Sequence, residues 1–142
     1  MMSHNLQIVD LHGNVLLTVS RPTTIMKSTF TVADGAGREV GRIVQQNAIG
    51  KIRFGLESGG HQLGLLRAEN WRAWDFHIVD HTENEVARIT KTFEGLTRAL
   101  FTTADDYVVR FHHHLDDPLR SLVVASALSV DTALKQQGGG YG

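Results

Sequence analysis

Three groups of side chains in this sequence have types and spacings that could carry chemistry. His112-His113-His114 places three imidazoles in a row, and imidazole is the commonest metal ligand among side chains. Consecutive residues of an extended strand point to opposite faces, so only His112 and His114 would share one, and two ligands do not complete a zinc site. Solvated surface is the first reading; a metal site or a pH-sensitive surface is the alternative. Asp105 and Asp106, with Asp116 and Asp117 further on, form an acidic group. Calcium needs six to eight oxygens from converging carboxylates. Asp105 and Asp106 therefore read first as turn residues and Asp117 as a helix cap, with calcium binding as the sharper alternative. Trp71 and Trp74, beside Arg67 and Arg72, form the third group. Indole rings suit a membrane interface and guanidinium suits phosphate, which makes Trp71, Arg72 and Trp74 candidate lipid contacts. The competing reading is packing along one strand face with arginine stacked on indole. Lys91, Arg98 and Arg110 extend the basic character, and the acids near them weaken it as an anion patch.

Other chemistries find no support. No serine lies in a Gly-x-Ser-x-Gly context, and the glycine-rich turns lack the Lys-Ser/Thr end of a phosphate loop. No hydrolytic or transferase site is expected. The absence of cysteine excludes disulfides, zinc-thiolate sites and thiol nucleophiles. The net charge of -1 gives no global field toward nucleic acid. Met1 to Asn5 show no basic stretch leading into an apolar core, so no signal peptide is expected. No apolar run reaches the roughly 18 residues of a membrane-spanning helix.

The elements that must position these groups are written to a template. Leu6 to Asp10 turns at His12-Gly13-Asn14 into Val15-Leu17. Phe30 to Asp34 turns at Gly35-Ala36-Gly37 into Val40-Ile43. Ile52 to Glu57 turns at Gly59-Gly60 into Leu63-Leu66. Phe76 to Asp80 turns at Thr82-Glu83-Asn84 into Val86-Ile89. The acids Asp10, Asp34, Glu57 and Asp80 recur every 23 or 24 residues, and a fixed period marks a repeated structural unit. Each hairpin is too small to bury its own apolar face, so neighbours must share a core. Arg21-Pro22 is read as a break between the first two hairpins. Asn47-Gly50 and Glu69-Arg72 are read as links. A fifth unit runs from Leu96-Phe101 through a turn at Ala104-Asp106 to Tyr107-Phe111. About nine or ten strands with turns at this spacing indicate a sandwich or barrel.

The pattern then changes. Asp116-Asp117-Pro118 signals a helix start, with an acidic cap and proline at the first helical position. From Ser121 to Val130 there is no charge. The apolar positions cover nearly the whole helical circumference, and the serines among them can return their hydroxyls to the backbone. The sharper reading is a helix of about residues 118–136 buried in β-structure, with Leu119, Leu122, Val123, Leu128 and Leu134 as its core contacts. Residues 137–142 read as a glycine-rich, mobile tail, leaving a single domain over residues 5–136.

Glu85-Val86-Ala87-Arg88-Ile89-Thr90-Lys91-Thr92-Phe93-Glu94-Gly95, then Phe101-Thr102-Thr103-Ala104-Asp105-Asp106, then the terminal helix, resembles the closing signature of the phospholipid scramblase and LURP-one-related superfamily. Val44-Asn47, Gly50-Phe54 and Ala68-Phe76 are similar to segments of its bacterial members. The resemblance implies a mainly β fold, a tubby-like antiparallel barrel enclosing the hydrophobic C-terminal helix. Members carry further strands before the position of Leu6, so the chain is expected to begin inside the barrel, leaving an open edge prone to self-association. The segment of animal members proposed to bind calcium matches here with Thr103 at its first acidic position, His114 at its last, and Val108 in place of its glycine.

The resemblance further implies a scramblase-related, membrane-associated lipid-binding protein that contributes to phospholipid scrambling, with membrane phospholipids as partners. Its expected place is cytoplasmic, peripheral at the inner face of the plasma membrane. No cofactor is implied beyond the calcium alternative. The competing expectation is a soluble barrel that acts as a protein-interaction or structural module, as in the plant branch.

Overall fold

The computed structural model describes residues 3–22, 29–46, 52–68, 75–91 and 107–137. Among the described residues nine strands pair in chain order as one antiparallel sheet. They are β1 (Ser3–Val9), β2 (Val15–Pro22), β3 (Thr29–Asp34), β4 (Glu39–Gln45), β5 (Ile52–Ser58), β6 (His61–Ala68), β7 (Asp75–Asp80), β8 (Glu85–Lys91) and β9 (Tyr107–Phe111). Among the described residues one helix, α1 (Leu119–Gln137), follows. Among the described residues no ladder joins β1 to β9, so the sheet is curled and open. The reading of Arg21-Pro22 as a break needs correction. β2 runs through both residues and pairs Pro22 with Ser3 at its very end, where a proline without an N–H is tolerated.

The recurring acid is a turn device. Asp10 Oδ1 accepts from the N–H groups of His12 (2.8 Å) and Asn14 (2.9 Å). Asp34 Oδ1 does the same with Ala36 and Arg38, both at 2.9 Å. Asp80 Oδ1 accepts from Thr82 (2.8 Å) and Asn84 (3.1 Å). In each turn the residue three past the acid donates to the acid's carbonyl and has positive φ: Gly13 at 84°, Gly37 at 86° and Glu83 at 67°. These donors hold the three carboxyls below the usual aspartate range, led by Asn14 N–H at Asp10, Arg38 N–H at Asp34 and the Thr82 side chain at Asp80. The third hairpin departs from the template. Ser58 pairs with His61 around a two-residue Gly59-Gly60 turn in which both residues have positive φ, as a type I′ turn requires. Glu57 therefore lies in the strand, opposite Gln62 and Arg42, and makes no turn.

Alternation sends one face of every hairpin inward. Leu17 and Val19, Phe30 and Val32, Ile43, Phe54 and Leu56, Leu66, Phe76 and Ile78, and Ile89 form one core with Leu122, Val123, Ala125 and Val130 of α1. The helix packs against β2 to β6 and against β9, strands from both halves of the sheet, so the sheet curls around it. Two glycines permit this approach. A Cβ on Gly41 would lie 3.1 Å from Leu122, and one on Gly64 would lie 3.3 Å from Leu119. Leu122 and Val123 are fully buried, while Leu119 and Leu128 are half-buried against the core. Leu134 falls within the helix. Ser121, Val124, Leu128 and Thr132, spaced by three or four, form a half-covered stripe along the helix.

The helix start combines two devices. Pro118 immediately precedes the first helical residue rather than occupying it. Asp117 Oδ1 accepts from the Ser121 N–H (2.9 Å) and hydroxyl (2.7 Å), satisfying an otherwise orphaned donor. Within the buried span, Ser126 donates to the Val123 carbonyl (2.6 Å) and Ser129 to that of Ala125 (2.9 Å). Uncharged serines with internally satisfied hydroxyls can be fully buried at little cost. Asp131, also buried, accepts from the Tyr107 hydroxyl and ties the helix to β9.

Candidate functional site

The outer face of β5 to β9 carries a basic row that follows the sheet register. Arg53 lies opposite Arg67, Arg67 opposite His77, His77 opposite Arg88, and Arg88 opposite Arg110. Arg53 with Arg67 and Arg88 with Arg110 are directly opposed like charges, which destabilise a sheet, so folding alone does not favour these pairings. Acids interleave with part of it. Arg67 meets Glu83 at 3.2 Å, and Arg88 meets Glu85 at 3.2 Å and Asp75 at 3.6 Å. Arg53 and Arg110 are exposed at its two ends and have no acidic partner among the described residues.

Glu85 organises the middle. Its Oε1 lies 2.5 Å from His77 Nδ1 and its Oε2 lies 2.5 Å from His112 Nε2. Burial pushes the carboxyl up, but bonds from His77, His112 and Arg88 outweigh it and pull the pKa from 4.5 to about 2. An ionised carboxylate only accepts, so His112 donates from Nε2, while His77 Nδ1 lies between the Glu85 carboxylate and Arg88 Nη2, the latter at 3.0 Å. The depressed value has a stability consequence with a fixed sign. The contribution is complete above pH 4.5 and is lost as pH falls from there toward about 2. Asp10, Asp34 and Asp80 act in the same direction. Glu85→Gln is expected to lower stability at pH 7 by on the order of 1–2 kcal/mol, after allowance for solvent contact, and to flatten the acid limb of the stability profile. Denaturant melts between pH 7 and pH 2.5 read both effects; an unchanged acid limb contradicts the assignment.

Beside this cluster is a cleft of about 500 Å³. Ile52, Ala68 and Val79 give it apolar walls. Arg53, Arg67, His77, Glu83 and Glu85 complete its lining, with Arg67 and Glu83 paired at 3.2 Å. The two carboxylates and two guanidinium groups balance in charge.

Of the residues singled out from sequence, His112 joins the cluster, Arg67 lines the cleft beside it, and Arg67 and Arg110 belong to the basic row. The reading of His112 to His114 as strand residues needs correction: β9 ends at Phe111, and the three histidines lie in the segment leading to the helix. His114 Nε2 bonds Asp116 at 3.1 Å, and His113 Nδ1 turns to the His114 carbonyl. Among the described residues no three His, Asp or Glu side chains converge as a metal site. Trp71, Arg72, Trp74, Asp105 and Asp106 lie outside the described residues. Glu85, His77, Arg88 and Arg53 were not found from sequence, because the signal is a shared register rather than a motif.

A curled antiparallel meander, closed on its inner side by an apolar C-terminal helix and carrying its charge on the outer face, defines the class. The chain belongs to the Scramblase family, whose model matches residues 2–135. No curated protein and no solved structure was found to match it. No helix of the described residues is long and apolar enough to cross a membrane.

Proposed function

We propose that this protein is a peripheral phospholipid-binding member of its family that presents the outer face of β5 to β9 to the membrane surface. The observation that carries the reading is the basic row of Arg53, Arg67, His77, Arg88 and Arg110, held in register over five strands despite its cost to the sheet. Guanidinium is the side chain best suited to phosphate, which it can grip with two parallel hydrogen bonds. The apolar helix is committed to the core and is not the membrane-contacting part. Moving a headgroup between leaflets requires a polar path through hydrocarbon. On this reading the chain binds lipid, and scrambling requires either a partner or a second copy.

Flotation with phosphatidylglycerol and phosphatidylcholine vesicles tests the proposal. The protein is expected to float with vesicles, and Arg53→Gln combined with Arg110→Gln, both at exposed positions, is expected to weaken this about tenfold. No flotation with any vesicle, with or without calcium, contradicts the proposal. The outer edge of β1, unpaired among the described residues, favours a second reading as a self-associating interaction module. A concentration-dependent dimer that does not float would support it.

A further inference from the structure

Glu83 is out of place. It occupies the positive-φ position that Gly13 and Gly37 fill in the two sister turns, at φ 67°. A side chain there costs on the order of 1 kcal/mol or more relative to glycine. What Glu83 gains within the fold is a 3.2 Å pair with Arg67 in which the two side chains are 69 % and 41 % exposed, and such pairs contribute little. Glu83 lines the cleft together with Arg53 and Arg67. Strain that the fold does not need, on a charged residue that lines a cleft, points to a functional position.

The charge pattern names the ligand. Two guanidinium groups from β5 and β6 line the same cleft as two carboxylates from the β7–β8 turn and β8. Glu85 is already bonded to His77, His112 and Arg88, which leaves Glu83 as the acid able to exchange its partner. A purely anionic ligand would meet Glu83 as a repulsion. A ligand with separate positive and negative groups would satisfy both sides and release Arg67 to share its anion with Arg53. We infer that this cleft recognises a zwitterionic phosphodiester, its phosphate on Arg53 and Arg67 and its cationic group on Glu83. The inference rests on the phospholipid-binding reading of the same face and specifies the headgroup class.

The test uses two soluble diesters that differ in the cationic group, glycerophosphoethanolamine and glycerophosphoglycerol, titrated into the folded protein and followed by NMR. The amine-bearing diester is expected to bind about fivefold or more tightly than the other. Glu83→Gly is expected to remove that preference while the protein melts at the same or a higher temperature, because glycine relieves the turn. Arg53→Gln is expected to weaken both ligands about fivefold or more. Equal binding of the two diesters, or an unchanged preference in Glu83→Gly, overturns the inference. Vesicles of mixed phosphatidylcholine and phosphatidylethanolamine separate the sources. Headgroup preference with flotation assigns a lipid. Headgroup preference without flotation keeps the diester site and overturns the membrane reading. Flotation on phosphatidylglycerol without headgroup preference overturns the zwitterion inference and leaves the membrane reading standing.

Discussion

Leu122→Ala is expected to lower the unfolding free energy by about 3–5 kcal/mol, the upper part of the range for a buried leucine. Leu122 is fully buried. It belongs to a helix that packs on β2 to β6 and on β9, and its methyl groups sit over Gly41. A cavity there cannot collapse easily. The surrounding strands are fixed by their ladders, and close-packed interiors relax only in part. Against a total stability of about 5–15 kcal/mol, such a loss takes away a large share of the fold. Denaturant titration at constant slope reads it directly. A loss under about 1 kcal/mol would place Leu122 outside any tight packing.

Gly41→Ala is the second large effect, on the order of 3 kcal/mol, because the added methyl has nowhere to go. Its Cβ would lie 2.2 Å from the Glu57 carbonyl oxygen and 3.1 Å from Leu122. The nearer obstacle is backbone, part of β5 beside β4, and it can move only by disturbing the pairing of Arg42 with Glu57 and Ile43 with Leu56. The two substitutions can therefore be set against each other. If Leu122 were the obstacle, Leu122→Ala would rescue Gly41→Ala. The carbonyl contact predicts that most of the cost survives in the double variant, and a double-variant cycle measures the difference.

Much of the fold is legible in the sequence, for reasons that are local. Asp10, Asp34 and Asp80 each precede a residue at the positive-φ position by three, so composition and spacing together specify the turn. The uncharged stretch from Ser121 to Val130 can only be buried, and its serines satisfy themselves. Glu57 shares the period of the acids but not their role, since Gly59-Gly60 makes a shorter turn that leaves Glu57 in the strand. The extent of β2 through Pro22 was hidden because a proline at a strand end and a proline in a loop look alike in sequence.

The site was much less legible. Arg53 meets Arg67 only after the irregularity between Leu56 and Glu57 shifts the hairpin register, and His77 meets Arg88 only after the one between Ile78 and Val79. A one-residue slip at either place would send these side chains to the other face. The pairings of Arg67 with His77 and of Arg88 with Arg110 cross the links between hairpins, where no turn chemistry fixes register. His112 reaches Glu85 across 27 residues of chain. Arg67, Arg110 and His112 stood out in the sequence only as parts of other groups, and Glu83 left a trace as a glutamate where the template has glycine.

The fold and its outer face depend on α1 being sheathed by the protein's own strands rather than by lipid or water. The chain has no cysteine, so one introduced thiol reports cleanly. Ser126, fully buried, accepts a cysteine of nearly its own size, and Arg120→Cys at the exposed first turn serves as the reference. Maleimide labelling of both variants, with and without vesicles, is expected to modify residue 120 at once and residue 126 only after denaturation. Prompt labelling of residue 126 in buffer, or transfer of a lipid-soluble probe to it in vesicles, would contradict the architecture and the lipid-binding face built on it.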